Sequence, residues 1–143
     1  MSLEIFKQVQ KSAWCRIFKL TIEDQKYICS NGKLVDTNLL LETIKKTLVQ
    51  KIGSFRSNDG RQTPYYKHYS FKAQHATRSC CRKCLLKTYG IRQDHQLTNQ
   101  DLQKILGVIR IWIDQQKKYI VGIKLTNKDI LDKIYDFKYN RKR

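Results

Sequence analysis

Residues 98–113 read TNQDLQKILGVIRIWI. Large apolar side chains recur here at positions 102, 105, 106, 109, 112 and 113, which is the spacing of an amphipathic helix. Thr98, followed three residues later by Asp101, is typical of a capping box at a helix start. The stretch therefore predicts a helix that begins at Thr98 and buries one face, and it favours a helical fold.

The same patterns extend outward from this helix. Asp36 is placed to cap a helix with Leu39, Leu40, Ile44, Leu48 and Ile52 on one face, and Gly53 and Gly90 are natural helix ends. The other predicted helices cover 3–18, a short stretch capped by Thr21, 71–89, and the residues after Thr126, with strand or turn at 119–123.

These elements predict an all-α fold, a compact bundle of about six helices. One long basic loop, about 54–70, contains Asp59-Gly60 and the only proline, Pro64, and lacks periodicity. The predicted domains are 1–117, a helical domain with a cysteine cluster, and 118–143, a C-terminal basic helix packed on the same domain.

Charge is the outlying feature of the composition. The 143 residues hold 29 Lys and Arg against 12 Asp and Glu, a net charge of +17. Such an excess indicates a polyanionic partner, and we predict DNA, with RNA as the alternative. Neither a secretory signal nor a membrane-length apolar run is visible, and five cysteines indicate reduced thiols. We expect an intracellular, nuclear protein with no membrane partner.

The predicted nucleic-acid surface combines these cations with nearby tyrosines and phenylalanines, because cations neutralise phosphates and aromatic rings stack on bases. The alternative is a solvated basic face above tyrosines that close the core. The predicted binding residues are Arg56, Arg61, Lys67, Lys72, Arg78, Arg82, Lys83, Lys87, Lys138, Arg141, Lys142 and Arg143.

A second cluster consists of His75, Cys80, Cys81 and Cys84. Thiolates and imidazole at this density are zinc ligands, and a helix over 71–89 would place Cys80 and Cys84 on one face. Buried reduced cysteines are the alternative, as is a nucleophilic thiol activated by neighbouring cations with His75 as base. No other cofactor is predicted. The candidates for a fourth zinc ligand are Cys15, Cys29, His68 and His95.

The segment 74–85, QHATRSCCRKCL, resembles a family of small bacterial and phage proteins with a His-Ala-Thr-x-x-Cys-Cys-Arg-x-Cys-Leu core. The resemblance spans about 12–116 and includes 58–64, 90–91, 97–98 and 111–113. It implies a single small domain and no established activity. The family's Trp-His after the last cysteine is replaced by Thr88-Tyr89. A shared site that uses that histidine would be incomplete here.

The chain carries no Gly-rich phosphate loop, paired carboxylate motif, Ser-His-Asp order or His-Glu-x-x-His, so we expect no enzyme. The leading hypothesis is a non-catalytic accessory subunit that lends DNA affinity to a larger protein complex, such as an adenine-N6 DNA methyltransferase. Trp14 and Trp112 are candidates for its partner surface or for the core. The alternatives are a zinc- or cysteine-dependent enzyme acting on nucleic acid and a structural ribonucleoprotein subunit.

Overall fold

A computed structural model describes residues 2–21, 24, 29–30, 33–34, 36–54, 63–65 and 68–126. Within these residues the fold is all-α, as predicted, with one antiparallel pair of two-residue strands. No described helix combines the length and the apolar composition that crossing a membrane requires. The elements are α1 (Ser2–Val9), α2 (Ala13–Arg16), β1 (Cys29–Ser30), β2 (Lys33–Leu34), α3 (Thr37–Ile52), α4 (Tyr69–Ala76), α5 (Arg82–Tyr89) and α6 (Asn99–Thr126).

The central helix is α6, which packs against α1, α3 and α4. Its predicted capping box is confirmed: the Thr98 amide donates to Asp101 Oδ2 at 2.9 Å, and the Asp101 amide donates to Thr98 Oγ1 at 3.1 Å. The buried face of α6 supplies Trp112 and Ile109 to the core. At 28 residues, α6 is about 42 Å long.

Helix α6 continues through 119–123, so the prediction of strand or turn there is wrong. The single Gly122 does not interrupt it, because an isolated glycine lowers helix stability without ending the helix. The helix also crosses the predicted domain boundary at 117/118. The predicted last helix after Thr126 lies outside the described residues.

Helix α3 begins as predicted, with Asp36 Oδ1 accepting from the Asn38 amide at 2.7 Å. Its buried side chains recur every four residues, which places them along one stripe that faces the core. Leu39, predicted on this face, is instead 62% exposed. The buried residues are Leu40, Ile44, Leu48 and Ile52.

The first predicted helix is divided into α1 and α2. Ser12 begins α2 by accepting the Cys15 amide at 3.4 Å. Ile17 follows α2 and is 63% exposed. Helix α1 lies close to α6 at Gly107, where a Cβ would lie 2.5 Å from Ser2 Oγ. The glycine therefore permits this close approach.

Candidate functional site

The bend between α4 and α5 organises the cysteine-containing segment. The prediction of one helix over 71–89 is wrong, because Arg78 has a left-handed φ of 54° and the helix ends at Ala76. The Ser79 amide donates to Gln74 O at 2.7 Å, and the Tyr89 hydroxyl donates to Thr77 O at 2.6 Å. Hydrogen bonds within the bend and from the more distant Tyr89 thus replace helical ones and turn the chain.

Thr63 attaches the preceding segment to this bend. Its hydroxyl donates to Cys80 O at 2.8 Å, and Gln74 Nε2 donates to Thr63 Oγ1 and Ser79 O. Thr63, which belongs to the same sequence resemblance as the cysteine core, therefore lies against that core.

Three thiols converge at the start of α5. Cys81 is the N-cap of this helix, and its sulfur accepts the Cys84 amide at 3.4 Å. The Sγ atom of Cys84 lies 3.7 Å from that of Cys80 and 3.1 Å from that of Cys81. All three sulfurs lie within 4.8 Å of one another. The prediction that Cys80 and Cys84 lie on one face of a shared helix is wrong, because Cys80 precedes the start of α5. The bend brings the two thiols together instead.

Hydrogen bonds among the thiols shift the pKa values of Cys81 and Cys80 in opposite directions. The pKa of Cys81 is lowered, first by hydrogen bonds from Cys80 and Cys84 and then by backbone amides at the helix start. The pKa of Cys80 is raised, first by its bond to Cys81 and then by Cys84 and burial. A thiolate is therefore favoured at Cys81, as expected for a cysteine at a helix N-terminus.

His75 is buried and lies outside the group of three thiols. Its ring stacks between Phe18 and Tyr65, with centroids 5.0 and 4.7 Å away. Its Nε2 lies 2.9 Å from Pro64 O and 3.2 Å from Thr63 O, and therefore carries the proton. Burial lowers the pKa of His75. The described contacts of the ring are therefore structural, and its role as a ligand or base stays a prediction.

The candidates for a fourth ligand are also engaged elsewhere. His68 Nδ1 accepts the Ser70 amide at 3.1 Å, and His95 lies between Asp94 and Asp101. Cys15 is buried but is not a member of the thiol group. The side chain of Cys29 lies outside the described part of the structure.

Arg82 does not belong to the predicted nucleic-acid surface. It is 0% exposed, because its guanidinium donates to four backbone carbonyls: Ile52 O, Gly53 O, Arg92 O and His95 O. These carbonyls belong to the end of α3 and to the loop between α5 and α6. Arg82 therefore links the end of α3 to the loop between α5 and α6 and is not available to phosphate.

Other predicted cations differ in availability. Lys72 Nζ lies 2.6 Å from Oδ2 of the buried Asp24, so its charge is compensated. Lys83 and Lys87 lie at exposed positions of α5. Seven predicted cations lie outside the described residues. They are Arg56, Arg61, Lys67, Lys138, Arg141, Lys142 and Arg143.

A cleft of about 380 Å³ collects three cations from distant parts of the chain: Lys11, Arg78 and Lys87. Ser12 and Thr88 add hydroxyls, and the described lining contains no carboxylate. The sequence analysis missed Lys11, because only the packing of α1 against α5 brings position 11 to the others.

A larger cleft, about 510 Å³, lies between α2 and α6. Trp112 lines it and is only 2% exposed, so this tryptophan is a core residue. Two cations line this cleft, Arg16 and Lys19, and Arg16 donates to Gln10 O at 2.9 Å. The smaller cleft has three cations in its lining and is therefore the stronger candidate for an anion site. Trp14, by contrast, is 54% exposed and meets Tyr65 edge to face.

The sequence profile of a family described as a domain of unknown function, DUF4186, matches residues 3–114. The chain belongs to this family. The match begins in α1 and ends within α6, so it includes both the thiol group and the basic cleft. No solved structure matches the chain.

Proposed function

We propose that the protein is a nucleic-acid-binding accessory protein that holds phosphates in the basic cleft of Lys11, Arg78 and Lys87. The observation that carries the proposal is the convergence of three cations without a described carboxylate in the lining. A phosphate in this cleft would neutralise charges that otherwise repel one another.

The chemistry of the cleft favours backbone contact over base reading. Lysine and arginine on a phosphate give affinity without sequence choice. The exposed aromatic side chains of Trp14 and Tyr65 suit stacking or contact with a protein partner. The proposed role is therefore to lend affinity to a larger assembly; an adenine-N6 DNA methyltransferase complex is one candidate, which co-purification from the native cell tests.

The test is fluorescence anisotropy with labelled duplex DNA, single-stranded DNA and structured RNA over a salt series. Neutralising the cleft with Lys11→Gln, Arg78→Gln and Lys87→Gln should reduce the slope of log affinity against log salt by about 2.7 for duplex DNA, because each phosphate contact contributes about 0.9. Preference for RNA would favour the ribonucleoprotein alternative.

A matched control removes the same charge from exposed positions outside the cleft, with Lys19→Gln, Lys46→Gln and Arg110→Gln. The slope should then stay close to that of the wild type. Equal losses in both triple variants would show that binding is diffuse and that the cleft is not the site. No complex at low ionic strength would overturn the proposed function itself.

A further inference from the structure

The thiol group of Cys80, Cys81 and Cys84 is not part of the lining of the basic cleft. Sulfurs around a tetrahedral zinc ion at about 2.3 Å are separated by about 3.8 Å. The Cys80–Cys84 separation of 3.7 Å already meets this value, and the Cys81–Cys84 separation of 3.1 Å requires opening by about 0.7 Å. Small side-chain rotations suffice for such a change.

We propose that Cys80, Cys81 and Cys84 form a three-thiolate zinc site with one coordination position left for a ligand from solvent. Three convergent sulfurs favour a metal over a disulfide, since a disulfide would use two of them and leave the third unexplained. The proposal is independent of nucleic-acid binding.

The surroundings of the cluster suit bound thiolates. The Cys84 amide donates to Cys81 Sγ, and this kind of bond stabilises a ligating sulfur. Cys81 is also the N-cap of α5, so its sulfur lies at the positive end of the helix dipole, which favours a negatively charged ligand.

The fourth position has no described protein ligand. His75 Nε2 is committed to Pro64 O, and the Tyr89 hydroxyl is buried and donates to Thr77 O. Burial also raises the pKa of Tyr89, which disfavours a phenolate ligand. Cys80 and Cys84 are only half-buried, so solvent has access. Three protein ligands with an open position are typical of reactive zinc sites.

The test uses the full chain, purified under reducing conditions, stripped with a chelator and titrated anaerobically with Co²⁺ and then Zn²⁺. We expect one Co²⁺ per chain, intense thiolate-to-cobalt charge-transfer absorption with tetrahedral d–d bands, and displacement by one Zn²⁺. Each of Cys80→Ser, Cys81→Ser and Cys84→Ser should abolish stoichiometric uptake, because each removes one of three ligands.

The control is Cys15→Ser, which removes a buried thiol outside the group and should retain the wild-type cobalt spectrum. Circular dichroism identifies any variant that fails to fold, and the wild-type titration decides the question even then. Absence of cobalt uptake by the reduced wild-type protein would overturn the proposal. So would retained uptake in a folded Cys80→Ser variant, or a Cys81–Cys84 disulfide as the stable form in the presence of metal.

Discussion

Arg82 offers the sharpest test of how this fold is held together, through the substitution Arg82→Met. Methionine fills much of the same volume but donates no hydrogen bonds. The change removes two short bonds, 2.6 Å from Nη2 to Arg92 O and 2.9 Å to His95 O, and two longer ones to Ile52 O and Gly53 O. The carbonyls would lose these partners in a buried site.

A charge-assisted hydrogen bond contributes about 1.5–3 kcal/mol, so loss of the two short bonds alone is expected to cost about 3–6 kcal/mol of unfolding free energy. Urea unfolding followed by circular dichroism should show this as a fall of about 2 M in the midpoint. Arg82→Lys should be intermediate, because a single ammonium cannot span both groups of carbonyls.

The matched control is Arg110→Met, the same substitution at an exposed position of α6, for which we expect a change within about 0.5 kcal/mol. If the unfolding free energy of Arg82→Met were within about 1 kcal/mol of the wild-type value, the stabilising link between α3 and the α5–α6 loop would be refuted.

Two further predictions concern a helix end and the histidines. Gly90 has a φ of +70° with open space beside it, so Gly90→Ala should lower the unfolding free energy by about 1–2 kcal/mol through backbone strain alone. Gly90→Asn should cost less, because asparagine adopts the left-handed conformation more readily. Equal losses for the two variants in chemical denaturation would contradict this. In an NMR titration the pKa of His95 should be raised, because its ring N–H groups donate hydrogen bonds to the Asp94 and Asp101 carboxylates. The pKa of His75 should be lowered because of burial. The contribution of His95 to stability is therefore present below its unfolded-state pKa and is lost as the pH rises through the folded-state pKa. The contribution of His75 is present above its unfolded-state pKa and is lost as the pH falls through the folded-state pKa. If His75 titrated at a higher pH than His95, the described surroundings of both rings would be wrong.

Local sequence predicted the helix starts well and the bend poorly. Asp36 and Thr98 cap their helices with bonds to amides two or three residues away, so the sequence alone contains both partners. The bend at Arg78 depends on Thr63 and Tyr89, which lie more than ten residues from it. Nothing in the helical periodicity of 71–89 signals those contacts.

The candidate sites show the same division. The sequence identified the three cysteines, but their separations depend on the bend, and the predicted partner His75 is held by carbonyls of the 63–64 segment. Two cations show the same effect. Arg82, predicted to bind nucleic acid, is buried, and Lys11, which the sequence did not single out, lines the basic cleft. Whether a cation faces a carbonyl or a cleft is decided by which distant segment packs against it.

What the sequence determined by itself was helical character, the capped starts of α3 and α6, the family resemblance and the excess of positive charge, because composition and local hydrogen bonding are written in neighbouring residues. What only the tertiary structure decided was which arginine is buried, which cations share a cleft and how close three sulfurs lie. Those properties are set by contacts between segments that are distant in sequence: Arg82 with the end of α3, α1 with α5, and the bend with Thr63 and Tyr89. Local patterns do not contain such contacts.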